Sequence, residues 1–118
     1  MSETNTVLES ILLTIRQMIG PSASYSVFDT DLIVNINSAF SRLCQLGVGP
    51  SEPFAITGED ETWDEFITNS YQQEIKQYVY LKTKLVFDPP ASSTVLNAYE
   101  KQIEMLEWTL KEVARFGY

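Results

Sequence analysis

Histidine is absent from this chain. With it go the side chain that most often serves as a general base near neutral pH, the commonest ligand of zinc and non-haem iron, and every Ser-His or Cys-His nucleophile pair. The chain therefore reads as a non-enzyme with no bound cofactor or metal. Cysteine is nearly absent too: Cys44 stands alone, so no internal disulfide is available. Placed between Leu43 and Leu46 in a helical apolar pattern, it reads as a small core residue. No phosphate-binding loop is present, because Gly47-Val48-Gly49-Pro50 has neither a lysine downstream nor a strand before it. No apolar run reaches the roughly 20 residues of a membrane span. Met1 to Thr6 lack the basic patch and apolar stretch of a signal peptide, so the expected place of synthesis and residence is the cytoplasm, away from membranes.

Basic residues are scarce: 8 Lys and Arg stand against 16 Asp and Glu, a net charge of -8. A protein that grips nucleic acid by neutralising phosphates needs the opposite balance. The acids are also unevenly placed. Glu52, Glu59, Asp60, Glu61, Asp64 and Glu65 share one segment, and no Lys or Arg lies between Arg42 and Lys76. The segment reads as a solvated acidic loop. Its Glu59-Asp60-Glu61 run lacks the alternating oxygen ligands and closing glutamate of a calcium loop, and no metal is assigned to it. Glu100 and Glu104 lie one helical turn apart with Lys101 beside them, which reads as a solvated face rather than an acid–base pair.

What the chain does have is 44% hydrophobic residues, with only 5 Gly and 5 Pro in 118 positions. That is enough for one domain, residues 1–118, burying roughly two thirds of the surface of its unfolded form. From Val7 to Ile19 the residues Leu8, Ile11, Leu12, Ile15, Met18 and Ile19 recur at helical spacing, and Gly20-Pro21 stops the run. Phe28-Asp29 opens a second helix, with Asp29 as its cap and Phe28 stapled back onto Ile33. Leu32, Ile36, Ala39, Phe40 and Leu43 make its buried stripe, and Gly47 suits a left-handed C-cap after Leu46. Phe54 and Ile56 alternate before the turn-prone Gly58-Glu59-Asp60, so a short β-hairpin or an ordered loop is expected near residues 54–63. Thr62-Trp63-Asp64-Glu65 matches a capping box ahead of a short helical turn.

A third long helix, near Tyr71 to Phe87, carries Ile75, Tyr78, Val79, Leu81, Leu85 and Val86. A band that wide belongs to a central helix or to one shared between subunits. It stops at Asp88-Pro89-Pro90: the residue before a proline is pushed out of the helical region, and two prolines supply no backbone donors. A last helix from Ser92 to Phe116, roughly 37 Å long, carries Val95, Tyr99, Ile103, Leu106, Leu110 and Val113 on one face, with Glu107 and Lys111 paired on its outer side. The carboxy-terminal segment near 112–118 is expected to be extended. The fold class is mainly α, a small helical bundle with three long helices and a shorter turn. Leu13, Ile33, Val34, Tyr80, Met105 and Trp108 fall off the main stripes, a surplus of apolar surface that favours an assembly.

Several ordered motifs carry a family likeness: Phe28-Asp29-Thr30-Asp31, Gln45 to Pro50, Thr62-Trp63-Asp64, Tyr80-Leu81-Lys82 through Phe87-Asp88-Pro89-Pro90 with Ser92-Ser93, and Glu107-Trp108. Through nearly its whole length the chain resembles the head-tail connector (head completion, or adaptor) proteins of tailed bacteriophages and prophages of Gram-positive hosts. It departs from them at Thr109, where an arginine would be expected to follow the Trp. The resemblance implies a structural virion protein made in the bacterial host cytoplasm. Its subunits would join in a ring, usually dodecameric, under the portal, extend the channel through which dsDNA passes without specific binding, and present a platform for the next neck or tail component. It also implies a carboxy terminus turned toward the portal, with Phe116 and Tyr118 as contacts. Leu13, Tyr80 and Trp108 are then expected at subunit contacts, and Glu59, Asp60 and Glu61 on a loop facing the channel or the next ring. The alternative from another class is a small acidic inhibitor that mimics DNA, but its carboxylates would have to spread along an extended face.

Overall fold

The computed structural model describes residues 10–23 and 25–116, and within them the chain is built from helices. Helix α1, Ile11–Ile19, starts at Ser10, whose extended backbone lets its Oγ accept the Leu13 N–H at 3.3 Å. It ends at Gly20 (φ 99°), whose N–H returns to the Arg16 carbonyl at 3.1 Å. The expected first turn at Val7 and Leu8 lies outside the described residues. Two 3₁₀ turns, Pro21–Ala23 and Ser26–Phe28, lead into α2, Asp29–Gln45.

The start of α2 differs from expectation. Phe28 occupies the cap position and no side chain caps the helix. Asp29 is instead drawn to Arg16 of α1, Nη2 to Oδ1 2.6 Å, because a cation on the neighbouring helix competes successfully for its carboxylate. Asp29 and Asp31 still sit in the first turn, where the helix dipole favours negative charge. The Phe28 ring meets Phe87 edge-on at 5.5 Å, a contact that ties the start of α2 to the end of α4, Gln72–Phe87. At the other end of α2, Gly47 takes φ 86°. The Val48 N–H reaches the Leu43 carbonyl and the Gly47 N–H reaches the Cys44 carbonyl, the paired bonds of a Schellman stop. Cys44 itself is exposed, contrary to the core reading. The buried stripe Leu32, Ile36, Ala39, Phe40 and Leu43 has closed by then, and one further residue turns the side chain roughly 100° away from it.

No hairpin forms near 54–63; among the described residues there is no strand, and the segment is an ordered loop joined to α1 by a single antiparallel bridge, Ser10 to Thr62. Side chains do the ordering. Asn37 of α2 donates to the Ile56 carbonyl at 3.0 Å and accepts the Ile56 N–H at 2.7 Å, while the Ser10 hydroxyl donates to the Glu59 carbonyl at 2.8 Å. The one-turn helix α3, Trp63–Phe66, begins at Thr62 without the expected side-chain cap; beside the Ser10–Thr62 bridge the Ile11 N–H donates to the Glu61 carbonyl at 3.0 Å. Trp63 is buried, and its indole N–H donates to the Thr14 hydroxyl at 3.1 Å.

Helix α4 is the central one: Ile75, Tyr78, Val79, Leu81 and Thr83 are all buried. It runs antiparallel to α2, whose start at Phe28 meets Phe87 at its end, and α5, Ser93–Phe116, folds back along it after the Asp-Pro-Pro corner, bringing Glu107 to Tyr78. Lys84 secures that corner by donating to the Asp88 carbonyl at 3.0 Å, and the Ser22 hydroxyl donates to the Asp88 carboxylate at 2.8 Å. The Ser92 hydroxyl accepts the Val95 N–H to start α5. Helix α5 continues to Phe116, the end expected from its spacing, so residues 112–116 are helical. Under α2 the rings of Phe40, Phe54, Trp63 and Phe66 pack together, with Phe40 and Phe66 centroids 4.7 Å apart.

Candidate assembly surface

Helix α5 is attached to the bundle by a charged group as well as by its apolar face. Glu107 points inward, not outward toward Lys111 as its spacing suggested. The buried Tyr78 of α4 donates to its Oε2 at 2.6 Å, and Arg42 of α2 donates to both carboxylate oxygens at 3.5 and 3.3 Å. Three helices thus meet at one carboxylate. Burial alone would raise the Glu107 pKa, but the Tyr78 hydroxyl, Arg42 and Lys82 outweigh it and hold the carboxyl below its ordinary range. Burial, reinforced by the Glu107 charge, pushes the Tyr78 hydroxyl well above the ordinary phenol range. The arrangement fixes α5 in place, with its opposite side free.

That opposite side is apolar. Met105 is 70% exposed and Trp108 67%, three residues apart on the face of α5 turned away from Ile103 and Leu110. Phe116 is 78% exposed under the Arg115 guanidinium, 5.4 Å from the ring centroid. On another face, Phe28, Val34, Val86 and Phe87 line a cleft of about 570 Å³ between α2 and α4. A second hollow of about 310 Å³, reaching Leu85, Glu100 and Ile103, shares the lining residues Asn35 and Val86 with the first, so the two adjoin. Val86, which helical spacing places in the apolar band of α4, is 69% exposed. The signal was available: Leu81 and Leu85, four apart, claim the inner face, and the residue after Leu85 must turn away from it.

Other residues singled out in the sequence fall as follows. Leu13 is half-buried on α1, and Tyr80 is half-buried against the core, its hydroxyl raised above the phenol range by burial and by Tyr99. Tyr118 lies outside the described residues. Glu59 is exposed but 3.7 Å from Arg16. Glu61 folds back on its own loop, accepting the Thr57 hydroxyl at 2.8 Å and the Gly58 N–H at 3.3 Å; these bonds outweigh burial and lower its pKa. Asp60 is exposed. Among the described residues no group of three or more His, Cys, Asp or Glu is placed to hold a metal, and no helix is long and apolar enough to cross a membrane.

Exposed apolar surface on two outer faces is the feature by which subunits of larger assemblies are recognised. No curated protein and no solved structure matches the chain. The model of one protein family, described as phage connector protein, matches residues 11–115, nearly the whole length. The chain therefore belongs to the phage connector family, structural proteins of the phage head-tail junction.

Proposed function

We propose that the protein forms a ring, dodecameric as the resemblance implies, beneath the portal at the capsid vertex. The ring continues the DNA channel into the neck and receives the next neck or tail component. Family membership over residues 11–115 is the observation that carries this reading. Two physical features support it. A net charge of -8 suits a conduit along which DNA slides without being held. Exposed apolar side chains on two faces suit a subunit with two lateral neighbours. Trp108, with the half-buried Leu13 and Tyr80 contributing their exposed edges, is assigned to contacts between subunits. Phe116 and Tyr118 are assigned to the portal, and the loop of Glu59, Asp60 and Glu61 to the channel or the next ring.

The DNA-mimic alternative draws no support from the acidic loop. Glu59 sits beside Arg16 and Glu61 is occupied within the loop, so two of its three consecutive acids serve the fold. The deciding experiment is light scattering coupled to size exclusion, on the protein alone and mixed with the portal of its own phage. A ring-sized species in either sample is the expected result. A monomer that never binds portal would overturn the reading and favour the inhibitor.

A further inference from the structure

The two apolar faces differ in shape, one the outer side of a single helix and the other a cleft, and each is flanked by charged side chains of both signs. Along the outer line of α5, Lys101, Met105, Trp108 and Glu112 follow at steps of four, three and four, so a base leads the apolar pair by one turn. Along the cleft, Asp31 stands at one end, Val34 and Val86 in the middle, and Lys82 at the far end. Neither Lys101 nor Asp31 has an ion-pair partner among the described residues. Laid along the cleft, the ridge sets its base Lys101 opposite the acid Asp31 and its acid Glu112 toward the base Lys82.

We propose that the α5 ridge of one copy, centred on Met105 and Trp108, seats in the α2–α4 cleft of the next copy against Val34 and Val86, with Lys101 set against Asp31. This rests on the ring reading above and names the surfaces that would build the ring. Because the two patches are different, a docked pair still offers one free ridge and one free cleft, and the contact propagates until the rotation closes. Pairing ridge with ridge would also match Lys101 to Glu112, but it stops at two chains and leaves Val34, 61% exposed, and Val86 in water. The ends of the cleft argue against DNA as its occupant, since Asp31 and Glu100 would face phosphate.

The test uses full-length chains carrying Cys44→Ser, which removes the exposed native thiol. One chain carries Val34→Cys and the other Met105→Cys, and a short bifunctional thiol reagent is added to the mixed assembly, free or on the portal. The expected product is a 34–105 link between copies, without 34–34 or 105–105 links. In parallel, Asp31→Lys and Lys101→Asp should each raise the concentration needed for assembly by about tenfold, and the double variant should restore it. Assembly without the 34–105 link, or with 105–105 links in its place, would overturn the proposal and leave the ring intact. Absence of any assembly, alone or with portal, would remove the ring reading and this contact with it.

Discussion

Gly49 shows how one atom can be excluded from this fold. It has φ +95°, a region that L side chains rarely adopt, and a Cβ built there would lie 2.4 Å from the Phe66 ring. That ring cannot retreat, being buried against Phe40 and Phe54 with centroids 4.7 and 5.3 Å away. Gly49→Ala should therefore cost about 3 kcal/mol, the sum of backbone strain and overpacking. Gly58 is the internal control: a Cβ there meets nothing within 4 Å and its φ is not positive. Gly58→Ala should be neutral or stabilising by up to about 1 kcal/mol, through the less flexible unfolded chain. Denaturant titration of the pair checks both, and equal losses would refute the steric account.

Between elements, the decisive contacts are polar. Tyr78→Phe removes the donor to Glu107 while keeping the ring, and should cost about 1–2 kcal/mol, because a charged acceptor loses its closest partner. The same site sets a pH dependence. Glu107 titrates lower in the fold than its ordinary 4.5, so its contribution is fully present above that value and is lost as pH falls through the lower folded one. Tyr78 behaves oppositely: its folded value lies above 10.0, so its contribution is present below that pH and declines as pH rises past it. Glu107→Gln should flatten the acid limb of a stability–pH curve measured by denaturation between pH 7 and pH 3, and an unchanged limb would show that other carboxylates cause it. At the loop, Asn37→Ala deletes both bonds to Ile56 and leaves a buried residue's backbone unpaired. It should cost about 2 kcal/mol and speed amide exchange at Ile56 more than in α4.

At the scale of the whole molecule, folding and assembly are carried by different surfaces. Trp108 is exposed and outside the core, so Trp108→Ala should change stability by no more than about 0.5 kcal/mol while abolishing or weakening the ring-sized species. Thermal melts of the monomer and light scattering of the assembly separate the two effects. A large drop in melting temperature would instead place Trp108 in the fold. Tyr80 should behave differently, because it packs on the core, and its loss would lower stability as well.

Helical periodicity and the two chain breakers, Gly47 and Asp88-Pro89-Pro90, were enough to locate the long helices, because amphipathic spacing and backbone geometry are properties of neighbouring residues. The ordered motifs from Phe28 to Trp108 were likewise enough to indicate the connector family. The direction of particular side chains was decided only in three dimensions. Asp29 left its own helix for Arg16, Cys44 and Val86 turned to solvent, and Glu107 turned inward because Tyr78 and Arg42 arrive from two other helices. Local sequence sets which face a residue can occupy. Which face is buried, and which charge finds a partner, depends on residues tens of positions away that only packing brings within reach.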